Sequence, residues 1–225
     1  MILDYQFSQQ SRTDLRELKE LVRRGENKHV EFKLKTNHPE KIIREVVAFA
    51  NSDGGQLIIG VGDDRSIKGL KFADEDEFIL RRAIDRHIFP AIEYDVKRVE
   101  VEREREVLIF HIPPSPLKPH YVDLDGLVEN RRAYVRVEDR SVQASREMRE
   151  ILKGERKAHN IRFQYGDKER ALMKYLADNE HITVDTYASI ANIPRKIASR
   201  TLVVLVLANV IKVQPHEVQD FFIAA

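Results

Sequence analysis

Glu31 and Lys33 alternate with Val30, Phe32 and Leu34 across residues 29–34, and that period of two is the pattern of a half-buried strand. Asp63 follows a second, continuously apolar stretch at residues 57–61. If the two strands lie side by side, two carboxylates meet at a strand end with an ammonium beside them. Hard oxygen ligands of this kind hold Mg²⁺ or Mn²⁺, which keep several waters and accept phosphate oxygens as further ligands. Such an ion would activate water and offset charge building on a phosphorane, with Lys33 assisting electrostatically. The same residues also read as a solvated ion pair on a strand face, followed by two turn acids, Asp63 and Asp64. Spacing alone leaves both readings open.

A second constellation lies near the C-terminal end. Arg195, Lys196, Ser199 and Arg200 occupy the start of a predicted helix after the turn Asn192-Ile-Pro194. Arg at such a helix start can read guanine edges in a major groove, while Lys or Ser holds phosphate. A solvated cationic face on any small helical module has the same composition, and Asp178, Glu180 and Asp185 stand close by in sequence. The Pro-rich stretch at residues 113–121 offers Lys118 for backbone contact and Tyr121 for base stacking. His29 reads either as a phosphate contact or as a structural residue at a strand end. Gly60-Val-Gly62 lacks the third glycine of a dinucleotide fingerprint, Arg65 standing in its place, and no Gly-x-x-x-x-Gly-Lys-Ser/Thr occurs. ATP chemistry therefore has no phosphate loop behind it.

Composition narrows the field. The chain has 225 residues, 42% hydrophobic and 33% charged, enough for a core beside a densely charged surface. Lys and Arg total 38 against 37 Asp and Glu, for a net charge of +1. Any surface for a polyanion must come from local sorting of charge. No cysteine is present, which removes disulfides, thiolate zinc sites and a cysteine nucleophile and fits a reducing cytoplasm. No apolar run approaches the ~20 residues that span a bilayer, and the start Met1-Ile-Leu-Asp-Tyr is not a signal peptide. The expectation is a cytoplasmic protein without a membrane partner.

The elements that must position these residues follow from periodicity. Helices are expected at residues 13–23, 39–50, 76–87 and 144–152; strands are expected at 29–34, 57–61, 93–101, 107–112 and 134–137. Together they imply an α+β domain on a mixed sheet, residues 1–153. Residues 154–165 are polar and without periodicity, as a linker should be. Residues 166–225 then read as helix, helix, turn, helix and a two-stranded wing, the order of a winged helix-turn-helix. The run Leu202-Val-Val-Leu-Val-Leu207 is apolar all round, which requires burial against its own module and against something else, the first domain or a second subunit.

Several blocks together carry a resemblance. Glu26-Asn-Lys-His-Val-Glu-Phe-Lys33, Ala48-Phe-Ala-Asn-Ser-Asp-Gly-Gly55 and Leu57-Ile-Ile-Gly-Val-Gly-Asp63 occur in order. Ile67-Lys-Gly69, Pro114-Ser115, Lys118-Pro119 and Tyr134-Val-Arg136 follow them. This set, over residues 12–152, resembles the Schlafen-type divergent AlbA domain. Bacterial and archaeal relatives often add a winged helix and are described as transcriptional regulators. The resemblance implies nucleic-acid binding, with Arg136 among the contacting residues. Some relatives are ribonucleases in which three acids bind a divalent metal, and the matching positions here are Glu26, Glu31 and Asp63. The chain lacks the Cys/His zinc site of the animal proteins and has one lobe where their nuclease domain has two, so a complete cradle calls for a homodimer. The expected function is a DNA-binding regulator. A metal-dependent endoribonuclease and a dimerising adaptor are the rival readings.

Overall fold

The computed structural model describes residues 9–102, 104–156 and 163–225. The chain divides into two compact units: residues 1–115 with 120–141, and residues 116–119 with 142–225. In the first unit, α1 (Gln9–Arg24) precedes β1 (Val30–Lys33), α2 (Pro39–Asn51), β2 (Gly55–Ile59) and α3 (Ala73–His87). After these come β3 (Ile88–Phe89), the hairpin β4 (Asp95–Glu102) and β5 (Arg105–Ile112), then β6 (Tyr121–Val122) and β7 (Tyr134–Val137). β8 (Arg140–Gln143) returns beside β7 and carries the chain into the second unit.

The α+β architecture centres on a four-stranded sheet in the order β1-β2-β5-β4. β1 runs parallel to β2, with Glu31 opposite Leu57, whereas β2–β5 and β5–β4 are antiparallel. The continuous apolar run of β2 has a direct cause. Leu57 and Ile59 join one core cluster with Ile43, Val47 and Leu80, while Ile58 joins a second with Leu18, Phe32 and Val107. A strand covered on both faces has no polar side to show. The same covering corrects the expected alternation of β1, where Glu31 is buried along with Val30 and Phe32. Leu34, expected on the apolar face, is exposed. α2 starts with Pro39, whose missing N–H is harmless in a first helical turn. It ends before Gly54, which holds φ +77°; a Cβ there would lie 2.8 Å from the Ile112 carbonyl oxygen. Residue 103 lies outside the described residues, and the β4–β5 register shifts between Glu100 and Glu102.

The second unit contains α4 (Arg146–Glu155), α5 (Asp167–Asp178), α6 (Val184–Ile190), α7 (Arg195–Leu207), β9 (Ile211–Gln214) and β10 (Phe221–Ala224). Short side chains start α4 and α6. Ser145 Oγ accepts from the Met148 N–H of α4 at 2.9 Å, and Thr183 Oγ1 accepts from the Thr186 N–H of α6 at 3.2 Å. β9 and β10 pair antiparallel, and Ile182 adds a bridge to Phe222 through two 2.8 Å backbone hydrogen bonds. The expected boundary at residue 153 differs from the observed division, because α4 groups with α5–α7. Gly154 and Glu155, expected in the linker, are its last helical residues, and the rest of that linker includes residues 157–162, outside the described residues. Among the described residues no helix is long and apolar enough to cross a membrane.

Candidate functional site

The expected acids have separate environments. Glu26 Oε1 accepts from the Phe32 N–H at 2.8 Å, so its carboxylate caps a free donor on the open side of β1. Glu31 is 7% exposed. Its Oε1 pairs with the Lys33 ammonium, and its Oε2 takes Arg136 Nη1 at 3.1 Å. Asp63 is exposed on the turn after β2, where Gly62 and Ser66 bond across the loop. Among the described residues, no three His, Asp or Glu side chains are grouped so as to hold a metal ion. A divalent cation does not fit at Glu31, since it would have to displace an ammonium and a guanidinium already seated on both carboxylate oxygens. The reading of Glu31 and Lys33 as a solvated pair is corrected too, because Glu31 is buried.

Arg136 organises this cluster. Its side chain is fully buried and reaches Glu45 Oε2 at 2.7 Å, Ser141 Oγ at 3.1 Å and the Asn27 carbonyl at 2.9 Å. Its guanidinium lies 4.8 Å from the centre of the Phe49 ring, and its Nε has no hydrogen-bond partner. One side chain thus ties the turn before β1 to α2 and to the β7–β8 hairpin. The expectation that Arg136 contacts nucleic acid is therefore corrected: its charge is spent inside the unit. Burial works against the Lys33 ammonium. Its hydrogen bond to Glu31, and the charges of Glu31, Glu45 and Glu26, nonetheless hold its pKa above the ordinary lysine value. Burial, reinforced by the Glu31 charge, pushes the Glu45 carboxyl up, and Ser141, Arg136 and Lys33 only partly oppose that. Sequence reasoning missed Glu45.

Asn51 was missed as well. Its Nδ2 donates to the His120 and Tyr134 carbonyls at 2.9 Å each, and its Oδ1 accepts from the His120 N–H at 2.7 Å. Beside it, Ser52 Oγ accepts from the Arg136 backbone N–H at 2.8 Å. The Asn-Ser pair that ends α2 is therefore a latch on two later segments. A signal existed: Ile43, Val47 and Asn51 follow at four-residue steps, and a polar residue on a buried stripe needs partners. His29 Nδ1 bonds to the Gly54 carbonyl at 3.0 Å, in agreement with a structural role at a strand end.

In the second unit, Ala198, Leu202 and Leu205 make one buried stripe of α7. A second stripe meets α4. Ser199 Oγ donates to Glu147 Oε1, and Leu207 lies against Gly154, where a Cβ would come within 2.3 Å of its Cδ1. α4 therefore covers part of the apolar run of α7, while Val203, Val204, Val206 and Leu207 stay half-buried. Ser199, expected to hold phosphate, is buried and committed. Arg195 pairs with Asp185 at 2.6 Å on the surface, an interaction worth little in water. Lys196 and Arg200 are exposed with no ion pair among the described residues. Lys118, expected to contact a nucleic-acid backbone, is 16% exposed and pairs with Glu155 at 3.5 Å. Tyr121 sits half-buried in β6, paired with Phe89. The expected basic candidates that remain open to solvent are therefore on α7.

The family model described as Schlafen, AlbA_2 matches residues 26–145. Among solved structures, the chain is similar to the N-terminal domain of an ATP-dependent DNA helicase RecG-related protein from Nitrosomonas europaea. There the identity is 23% and the TM-score 0.42, over 55% of this chain and 88% of that one. It is also similar to the DIP2311 protein from Corynebacterium diphtheriae at 22% identity and a TM-score of 0.43, over 75% of this chain and 38% of that one. No curated protein matches the chain.

Proposed function

Because the chain belongs to the Schlafen, AlbA_2 family, we propose that it is a nucleic-acid-binding protein, and that its duplex contact is made by the second unit acting as a winged helix-turn-helix. Family membership supports nucleic acid as the partner class. The observation that carries the finer reading is the pair Lys196 and Arg200, exposed in the first two turns of α7 and free of ion pairs among the described residues. A recognition helix meets the major groove with its N-terminal residues. The antiparallel β9–β10 pair, extended by Ile182, has the form of a wing. The C-terminal half of α7 stays packed on α4, so the contact is confined to the N-terminal turns. On this reading the protein is a DNA-binding transcriptional regulator.

The test is salt-dependent binding of the full chain to mixed-sequence duplex DNA. Reversing both residues, Lys196→Glu with Arg200→Glu, should weaken binding about tenfold or more and reduce the slope of log affinity against log salt by about two. Equal affinity of parent and double variant at low salt overturns the assignment to α7.

A further inference from the structure

Between α4 and α7, wholly within the second unit, lies a pocket of about 480 Å³, a size that suits a small molecule. Its floor is apolar, made by Ile197, Val203, Val204 and Leu207. Its rim is cationic, with Arg146 and Lys153 from α4 facing Lys196 and Arg200 from α7. Glu150 is the acid on the lining, and it is bonded to Lys153 at 2.9 Å. Arg146, Lys196 and Arg200 are left without an ion pair among the described residues.

The two halves of the lining select together. A phosphate backbone gains nothing from an apolar floor, and a neutral apolar molecule leaves the three cations unused. A molecule with one anionic end and an apolar body satisfies both, through charge-assisted hydrogen bonds at the rim and area removed from water at the floor. The groove is also built. Gly154 lets the end of α4 approach Leu207, since any side chain there would overlap it, and the buried Ser199–Glu147 hydrogen bond holds the two helices together.

We propose that this pocket binds a small amphipathic carboxylate of the medium-chain fatty acid class. Bound carboxylate competes with duplex DNA, because Lys196 and Arg200 would serve both. The competition rests on the function proposed above; the pocket itself does not.

Isothermal titration of the full chain with decanoate tests the pocket, with acetate as the probe that lacks an apolar body. Decanoate should bind, and acetate should bind about tenfold or more weakly. Arg146→Glu should weaken decanoate about tenfold; Arg146→Ala should give a smaller loss in the same direction and leave duplex binding in place. An acid suits the first turn of α4, so the Glu variant should fold, as its melting curve will show. Decanoate should also lower the duplex affinity of the parent and not that of Arg146→Glu. Absence of decanoate binding, or equal binding by parent and Arg146→Glu, overturns the pocket whatever the duplex result. A parent that binds decanoate, loses it in Arg146→Glu and binds no duplex upholds the pocket and overturns the DNA reading.

Discussion

The two units use the same residue types for opposite ends. The first carries 24 Lys and Arg against 27 Asp and Glu, a net −3, and the second 14 against 10, a net +4; together these give the chain's +1. In the first unit the family block turns inward: Arg136, Glu31, Glu45 and Asn51 bind one another and the backbone. In the second, Lys196 and Arg200 face solvent with no ion pair among the described residues. A charge that holds a fold must be surrounded by its partners. A charge that takes a ligand must be left without them.

The largest break in that contrast should come from Arg136→Met. It strands Glu31 and Glu45 without their shared cation, and removing one partner of a buried pair costs about 3–5 kcal/mol. Urea unfolding reads the loss directly, whereas Lys196→Glu with Arg200→Glu should change duplex binding and leave unfolding almost unmoved. An Arg136→Met protein as stable as the parent would mean that the buried cluster is dispensable. Asn51→Ala should follow at about 2–3 kcal/mol, since it removes three hydrogen bonds made in the interior. The check is the same unfolding curve, and an effect below the ordinary surface range would remove the latch.

A smaller effect depends on pH. Burial is the main cause that raises the Asp220 carboxyl above its ordinary value, with the Glu147 charge adding to it. The folded state then binds the proton more tightly than the unfolded state does. The stability tied to this group is present at low pH and is lost as pH rises from the ordinary aspartate value through the raised one. Asp220→Asn should therefore gain stability relative to the parent at pH 7, by less than about 1 kcal/mol, and less at pH 4. Melting curves at the two pH values decide it, and an equal shift at both would place the cause elsewhere. The smallest expected change is none at all: Mn²⁺ should leave the parent's melting temperature where it is. A Mn²⁺-induced rise that Asp63→Asn abolishes would restore the metal reading and erase the contrast between the units.

Local patterns carried most of the elements. The stripe from Ile42 to Ala50, the apolar run of β2 and the order of helices after residue 166 each follow from periodicity, because burial on one face leaves its period in the sequence. The site was harder to read. Glu31 and Lys33 show a clean alternation, yet the guanidinium that pairs with Glu31, that of Arg136 on β7, lies far along the chain, as does Glu45 on α2, the second carboxylate that shares it. No local pattern encodes a pairing across 105 positions. α4 was misassigned for a related reason. Its apolar face gives its period but not its partner, and Gly154 reads as a linker residue until Leu207 is seen against it.

Glu26 has a consequence for how copies of this protein can meet. β1 is the outermost strand of its sheet, and a bare edge would offer its amides to any passing extended chain. The Glu26 carboxylate already occupies the Phe32 amide, and the turn at residues 27–30 closes on itself through two backbone bonds. An incoming strand would have to evict a charged acceptor to gain one ordinary hydrogen bond. The first acid of the family block therefore also guards this edge of the sheet against the addition of a foreign strand.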